Sequence, residues 1–209
     1  MKREIIDRFG KTWKDYDEWY DVHPALYQSE LGALKKVVPP GAGLEIGVGT
    51  GRFAVPLGAR FGLDPAIQML QLAKKRGILV VQALGESLPF RDESFDFVQI
   101  VFVIEFVDDP LLFLREAART VRRNGVLILG FIDRDGQWGR YYARDPSHRH
   151  YFHPPSPEEV LGIFSKIGLE FREACQTLFQ PPPDISIKEE PRSGFGRGGF
   201  VVLMATKKQ

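Results

Sequence analysis

Leu44-Glu45-Ile46-Gly47-Val48-Gly49-Thr50-Gly51-Arg52-Phe53 is the stretch that decides the fold. A short apolar run, Leu44 to Ile46, breaks into glycines at 47, 49 and 51. Such glycines leave the backbone bare where a tight strand-to-helix turn must let a ligand approach closely. The nicotinamide and flavin fingerprint G-x-G-x-x-G would need its third glycine at 52, and that position is arginine. The Gly-Lys-Ser/Thr of a P-loop is absent too.

Outward from this turn the chain alternates strand-like and helix-like segments. Before it stands the turn Pro39-Pro40-Gly41; after it, Arg52 to Arg60 is expected to form a short helix and Phe61-Gly62-Leu63 a very short second strand. Asp64-Pro65 has the form of an N-cap followed by proline at the first helical position, opening a helix that Gly77 ends. Ile78 to Ala83 and Phe95 to Val103 follow as strands, the latter apolar nearly throughout, as a strand covered on both faces is. Asp109-Pro110 repeats the cap signal before a helix expected to run to Asn124-Gly125, and Val126 to Ile132 is a fifth buried strand. Ser156 and Glu159 form a capping box before the last helix. Glu173 to Phe179 and Phe200 to Thr206 close the chain as a hairpin whose long connection holds Pro181-Pro182-Pro183 and the glycines of 194–199. The expected fold is α/β: an open, doubly wound, mostly parallel seven-stranded sheet with helices on both faces and a C-terminal antiparallel β-hairpin. Ligands in such sheets bind beyond the carboxyl ends of the strands where strand order reverses, which is where the glycine turn falls.

Composition narrows the function classes. The 209 residues suit one domain, with 44% hydrophobic and 26% charged residues. A net charge of +1, with no long run of one sign, argues against a nucleic-acid partner held through its phosphates. Cys175 is the one cysteine, which excludes an intrachain disulfide and reads as a strand residue. The first residues carry no apolar core of signal-peptide length, and no run approaches the ~20 apolar residues of a membrane span. A soluble cytoplasmic protein with no membrane partner is the expectation.

Asp64 lies thirteen residues beyond Gly51, just past the second strand. A carboxylate there can accept both hydroxyls of a ribose, or serve only as the N-cap of the next helix. With Asp64 in place the resemblance becomes specific. E-I-G-V-G-T-G-R-F at 45–53 resembles motif I of the class I S-adenosylmethionine (SAM)-dependent methyltransferases, especially the small-molecule branch that includes the ubiquinone and menaquinone biosynthesis enzymes. Gly62 to Leu70 is similar to the family's G-[VL]-D-x-S-x-x-M-L, with Pro65 and Ala66 as variants. Glu86 to Asp96 is similar to E-x-L-P-F-x-D-x-S-F-D, and Glu116 to Gly125 to the helix and turn before the fifth strand. The likeness runs from about Leu31 to Ile132 and more loosely beyond.

The resemblance implies SAM as cofactor and a Rossmann-like methyltransferase fold. It implies that Gly47, Gly49 and Gly51 face the methionine part, Glu45 supports its amino group, and Asp64 holds the ribose. Ile67 or Met69 would lie near the adenine, with Phe102 also at the cofactor. The turn around Leu84 and Glu86 would meet the adenine edge, although the family often has an aspartate where Leu84 stands; Glu86 reads equally as a surface loop carboxylate.

On the acceptor side, a histidine pair that often follows the fourth strand is missing, and Glu105 is the leading candidate for a base or cation-holding carboxylate, set against a plain loop residue. Trp13, Tyr16, Trp19 and Tyr20 fall on one helix face, as packing or as part of an N-terminal helical lid over 1–30. The insert 134–155 carries Arg134, Arg140, Arg144 and Arg149 with Tyr141, Tyr142, His148, His150 and His153. It reads either as a surface excursion or as a basic-aromatic flap, with Tyr141 and His150 beside an anionic or aromatic small-molecule acceptor. The histidine spacing matches no ligand motif, so no metal is expected. Alternative functions are a nicotinamide-dependent oxidoreductase, which the glycine spacing disfavours, and a SAM-binding protein without catalysis.

Overall fold

A computed structural model describes residues 1–147, 150–183 and 185–207. Three helices, α1 (Arg3–Lys11), α2 (Trp13–Val22) and α3 (Pro24–Val37), precede the sheet. Then follow β1 (Gly43–Ile46), α4 (Ala54–Leu57), β2 (Ala59–Asp64), α5 (Ile67–Lys75), β3 (Leu79–Gln82) and β4 (Phe95–Val101). A single 3-10 turn at Ile104–Phe106 leads to α6 (Pro110–Thr120), β5 (Val121–Ile132), α7 (Gln137–Arg144) and α8 (Pro157–Lys166). The chain closes with β6 (Leu169–Thr177), β7 (Arg192–Ser193) and β8 (Phe200–Lys207).

The strands form one sheet in the order β3-β2-β1-β4-β5-β8-β6-β7. The first five are parallel, β8 runs antiparallel between β5 and β6, and β7 adds two residues at the edge. The sheet therefore has eight strands rather than seven, because a piece of the long hairpin connection pairs with Cys175 and Gln176. The order turns back at β1, whose neighbours are β2 and β4, so the glycine turn opens into the crevice between them.

Side-chain alternation along β5 divides the core. Ile128 and Ile132 pack with Leu34, Phe97 and Phe200 on the face covered by α3, whereas Leu127, Leu129 and Phe131 pack with Phe113, Val160 and Phe164 of α6 and α8. Successive strand residues point to opposite faces, so one apolar run feeds both layers.

The cap signals fare unevenly. Asp109 caps α6 by accepting from the Leu112 N–H at 3.0 Å, and Ser156 and Glu159 complete a reciprocal capping box. Asp64 is not the cap of α5: β2 continues through it and the cap residue is Ala66. The helix expected over 52–60 shrinks to Ala54–Leu57, since pairing with β1 draws Ala59 and Arg60 into β2. Similarly α6 stops at Thr120, because Val121 pairs with Phe95; Asn124, at φ +62°, and Gly125 form a bulge inside β5 and not a helix end.

Candidate active site

The ends of the parallel strands and the N-terminal helices enclose a cleft of about 510 Å³, within the roughly 300–1,000 Å³ of small-molecule sites. Its lining divides according to the sheet order. Gly47 and Gly49 after β1, Leu63 and Asp64 of β2, Met69 of α5 and Leu84 to Glu86 after β3 line one part. Phe102 after β4, Ile132 of β5, Trp138 and Tyr142 of α7 and Leu178 after β6 line the other. Tyr16, Trp19 and Tyr20 of α2, with Leu26 and Glu30 of α3, roof the space.

The glycine turn has the shape its sequence demands. Gly47 sits at φ +73°, and a Cβ there would come 2.2 Å from Val103 Cγ2. Gly49, at φ +51°, donates its N–H to Asp64 Oδ2 at 3.0 Å, and Ala66 donates to Oδ1 at 2.8 Å. Both carboxylate oxygens thus stand fixed at the cleft wall with lone pairs to spare. Burial raises the Asp64 carboxyl to about 6 against these two backbone donors, which a pair of ligand hydroxyls would help to offset. A bare backbone turn beside a fixed acceptor fits a nucleoside carrying an amino-acid tail.

Phe102 is the strained residue of the site. Its φ of +55° is left-handed, a conformation that costs a bulky side chain on the order of 1–3 kcal/mol. The hydrogen bond from its N–H to Gly130 O at 2.9 Å and ring contacts with Phe53 and Phe200 hold it there.

Several expected residues lie elsewhere. Gly51 faces away from the cleft, its bare Cα making room for Ile78. Glu45 is buried in β1 opposite Gln99 of β4, from whose Nε2 it accepts at 2.9 Å; burial pushes its carboxyl up to about 8. Ile67 is 45% exposed, while Met69, some 200° further around α5, reaches the cleft. Leu84 and Glu86 both line the cleft, but Glu86 is engaged by the Met1 ammonium. Glu105 does not line it: its Oε1 accepts from the Ile132 N–H at 3.0 Å, its Oε2 is without a hydrogen-bond partner among the described residues, and burial raises the carboxyl to about 7.

Tyr16, Trp19 and Tyr20 all face the cleft, Tyr20 donating to the Tyr16 hydroxyl at 3.0 Å. Tyr141 projects outward and its neighbour Tyr142 takes the inward position, one helical step of 100° away. His150 lies with His153 along a separate, smaller hollow. His148 and Arg149 lie outside the described residues, and among the described ones no cluster of histidine, cysteine and carboxylates could hold a metal. Two arginines of the insert turn away as well, Arg134 to Glu159 and Arg140 to the Asp135 carbonyl. Arg8 of α1 is the guanidinium at the cleft, and it lies over the Tyr151 ring.

Two features were not foreseen from the sequence. Asp17 of α2 accepts from Arg52 just after the glycine turn and from Arg76 after α5, and Arg76 also donates to Thr50 O at 2.7 Å. Burial opposes ionisation of Asp17, but the two guanidiniums outweigh it and hold the carboxyl well below the usual range. The other is Glu30, 3% exposed, with Oε2 unpartnered among the described residues. Its signal was legible in retrospect: a carboxylate on the apolar stripe Leu26, Glu30, Ala33, Leu34 and Val37 of α3.

Comparison with known proteins agrees with the geometry. Residues 44–129 match the methyltransferase domain family. The chain is 43% identical to a Thermotoga maritima protein whose crystal structure is described as a SAM-dependent methyltransferase, possible histamine N-methyltransferase; the match covers 96% of this chain and 98% of that one with a TM-score of 0.90. It is 41% identical over 202 residues to an uncharacterised protein of Methanocaldococcus jannaschii, covering 95% of this chain and 98% of the relative. More distant is the ubiquinone/menaquinone biosynthesis C-methyltransferase of Xanthomonas oryzae, 29% identical over 80% of this chain and 83% of that one.

Proposed function

The chain belongs to the class I SAM-dependent methyltransferases, and from that premise we propose that it methylates a small organic acceptor held in the aromatic part of the cleft. The observation that carries the proposal is the continuity of one cleft from the Gly47, Gly49 and Asp64 turn to the Phe102, Trp138 and Tyr142 wall. When bound, SAM supplies a methyl group on a sulfonium, open to in-line displacement by a nucleophile of the acceptor. The chain's own work is to hold the two partners in line and to keep water out. Asp64 would hold the ribose hydroxyls, and the turn from Leu84 to Glu86, with Met69, would flank the adenine. Glu45, buried in β1 against Gln99, would act from behind the site rather than in contact with the ligand.

The three N-terminal helices act in this reading as the lid. They extend the segment expected over 1–30 through Val37 and close over the strand ends with Phe9, Tyr16 and Tyr20. Phe9 meets Tyr16 and Phe106 edge-on, and Phe106 stacks on Tyr151 of the insert, so lid and insert join around one aromatic seam.

Calorimetric titration with S-adenosylhomocysteine, run beside NADH, tests the cofactor half. Saturable binding of the first alone is expected. Asp64→Ala should weaken it roughly 10- to 100-fold, the value of hydrogen bonds to a charged acceptor. Unchanged affinity in that variant would remove Asp64 from the site.

A further inference from the structure

The acceptor part of the cleft is acidic and aromatic, and the buried carboxyl of Glu30 has no hydrogen-bond partner for its Oε2 among the described residues. Glu30 lies on the inner face of α3 at 3% exposure; it lines the cleft, and no described group donates a hydrogen bond to its Oε2. A buried ionic group without a partner is costly, and such a group deserves a reason. The hydroxyls of Tyr16 and Tyr20 bond to each other rather than to it, and burial holds its carboxyl well above the usual carboxylate range, a shift that a cationic partner would reverse. Tyr20, Trp138 and Tyr142 line the same space, and aromatic rings of this kind attract cations through their faces.

The charges along the cleft point the same way. Asp15, Glu30, Asp64 and Glu86 face Arg8 and the Met1 ammonium; Arg8 is drawn to Tyr151 and Met1 to Glu86. An anionic acceptor would enter against this field. An alcohol would bring one donor to Glu30 and no charge. An organic ammonium brings two or three donors, a compensating charge and attraction to the aromatic faces.

We propose that Glu30 is the acceptor-anchoring carboxylate and that the acceptor is a small organic amine with a flat, apolar body. The proposal rests on the methyltransferase reading for its place in catalysis, but the recognition it describes is a property of this chain's own residues. It replaces the anionic acceptor expected from the arginines of the insert.

The probe is 2-phenylethylamine, titrated calorimetrically against its near-isosteres 2-phenylethanol and 3-phenylpropionate, with and without saturating S-adenosylhomocysteine. Saturable binding of the amine, at least tenfold tighter than either isostere, is expected. Glu30→Gln should weaken the amine roughly 10- to 100-fold and leave S-adenosylhomocysteine affinity within error of the parent protein. Absence of amine binding to the parent protein, equal or tighter binding of the alcohol or carboxylate, or an unaffected Glu30→Gln variant each overturns it. The isostere comparison on the parent protein stands even if the variant does not fold. Loss of S-adenosylhomocysteine binding with amine selectivity intact would instead strike the methyltransferase reading and leave Glu30 in place.

Discussion

The carboxylates of the site differ in what surrounds them, and that difference sets their behaviour. Asp64 is fixed by two backbone N–H donors and opens to the cleft, whereas Glu105 is sealed in, its Oε1 accepting from Ile132 and its Oε2 without a partner among the described residues. Burial raises the Glu105 carboxyl to about 7, from a usual 4.5. A carboxyl raised in the folded state binds its proton more tightly there than in the unfolded chain. Stability is therefore greatest below the unfolded value and falls as pH rises toward 7. Glu105→Gln should consequently gain on the parent protein between pH 5 and pH 8, by several degrees in unfolding midpoint, since each kcal/mol is about 2–4 °C for a domain of this size. Scanning calorimetry at the two pH values reads this directly; an equal difference at both would mean that Glu105 ionises freely. At this scale the sequence indicated the turn that brings Gly47, Gly49 and Asp64 to the cleft wall, while Gly51 faces Ile78 instead. The position of Glu105 after β4 says where the backbone goes but not that its side chain turns back to Ile132.

At the scale of elements, helix α2 is tied to the two loops that shape the cofactor part of the cleft. Asp17 receives Arg52 and Arg76 together, and Arg52 reaches on to Asp21 at 2.6 Å. Helix α2 and the glycine turn are thereby tied into one mechanical unit. Asp17→Asn keeps the shape and removes the charge from a half-buried pair of guanidiniums. Hydrogen bonds to charged groups contribute about 1.5–3 kcal/mol; solvent access to this pair puts the loss at the lower end. The unfolding midpoint should fall by about 3–6 °C, and S-adenosylhomocysteine should bind more weakly in the same variant. Because the Asp17 carboxyl is depressed in the folded state, its contribution is present above the usual 3.8 and fades as pH falls below it, so parent and variant should converge in acid. Unfolding curves at pH 7 and pH 3 check both statements. The aromatic spacing of α2 was legible in the sequence, but the latch was not, for its members lie 35 and 59 residues apart.

At the scale of the whole molecule, the cleft is assembled from the N-terminal helices, the ends of six strands and the insert, so a ligand in it bridges all three. S-adenosylhomocysteine at a hundred times its Kd should add about 2.7 kcal/mol to the folding free energy. That is an increase of roughly 5–10 °C in unfolding midpoint for a domain of this size. Differential scanning fluorimetry would show it, and no shift at saturation would argue that the ligand binds the unfolded chain equally well or not at all. The sequence by itself determined the α/β alternation, the glycine turn, the capped starts of α6 and α8, and the family. Each of these rests on local chemistry: bare backbone at a turn, a side-chain oxygen over orphan N–H groups, apolar runs long enough for a strand. Only the tertiary structure decided that Asn124-Gly125 is a bulge inside β5, that Tyr142 rather than Tyr141 faces inward, and that Glu30 looks into the cleft while Arg134 and Arg140 of the insert look away. Those outcomes depend on which distant segment covers a side chain and which pairing overrides a local preference, and contacts of that kind are settled only when the sheet and the helices above it come together.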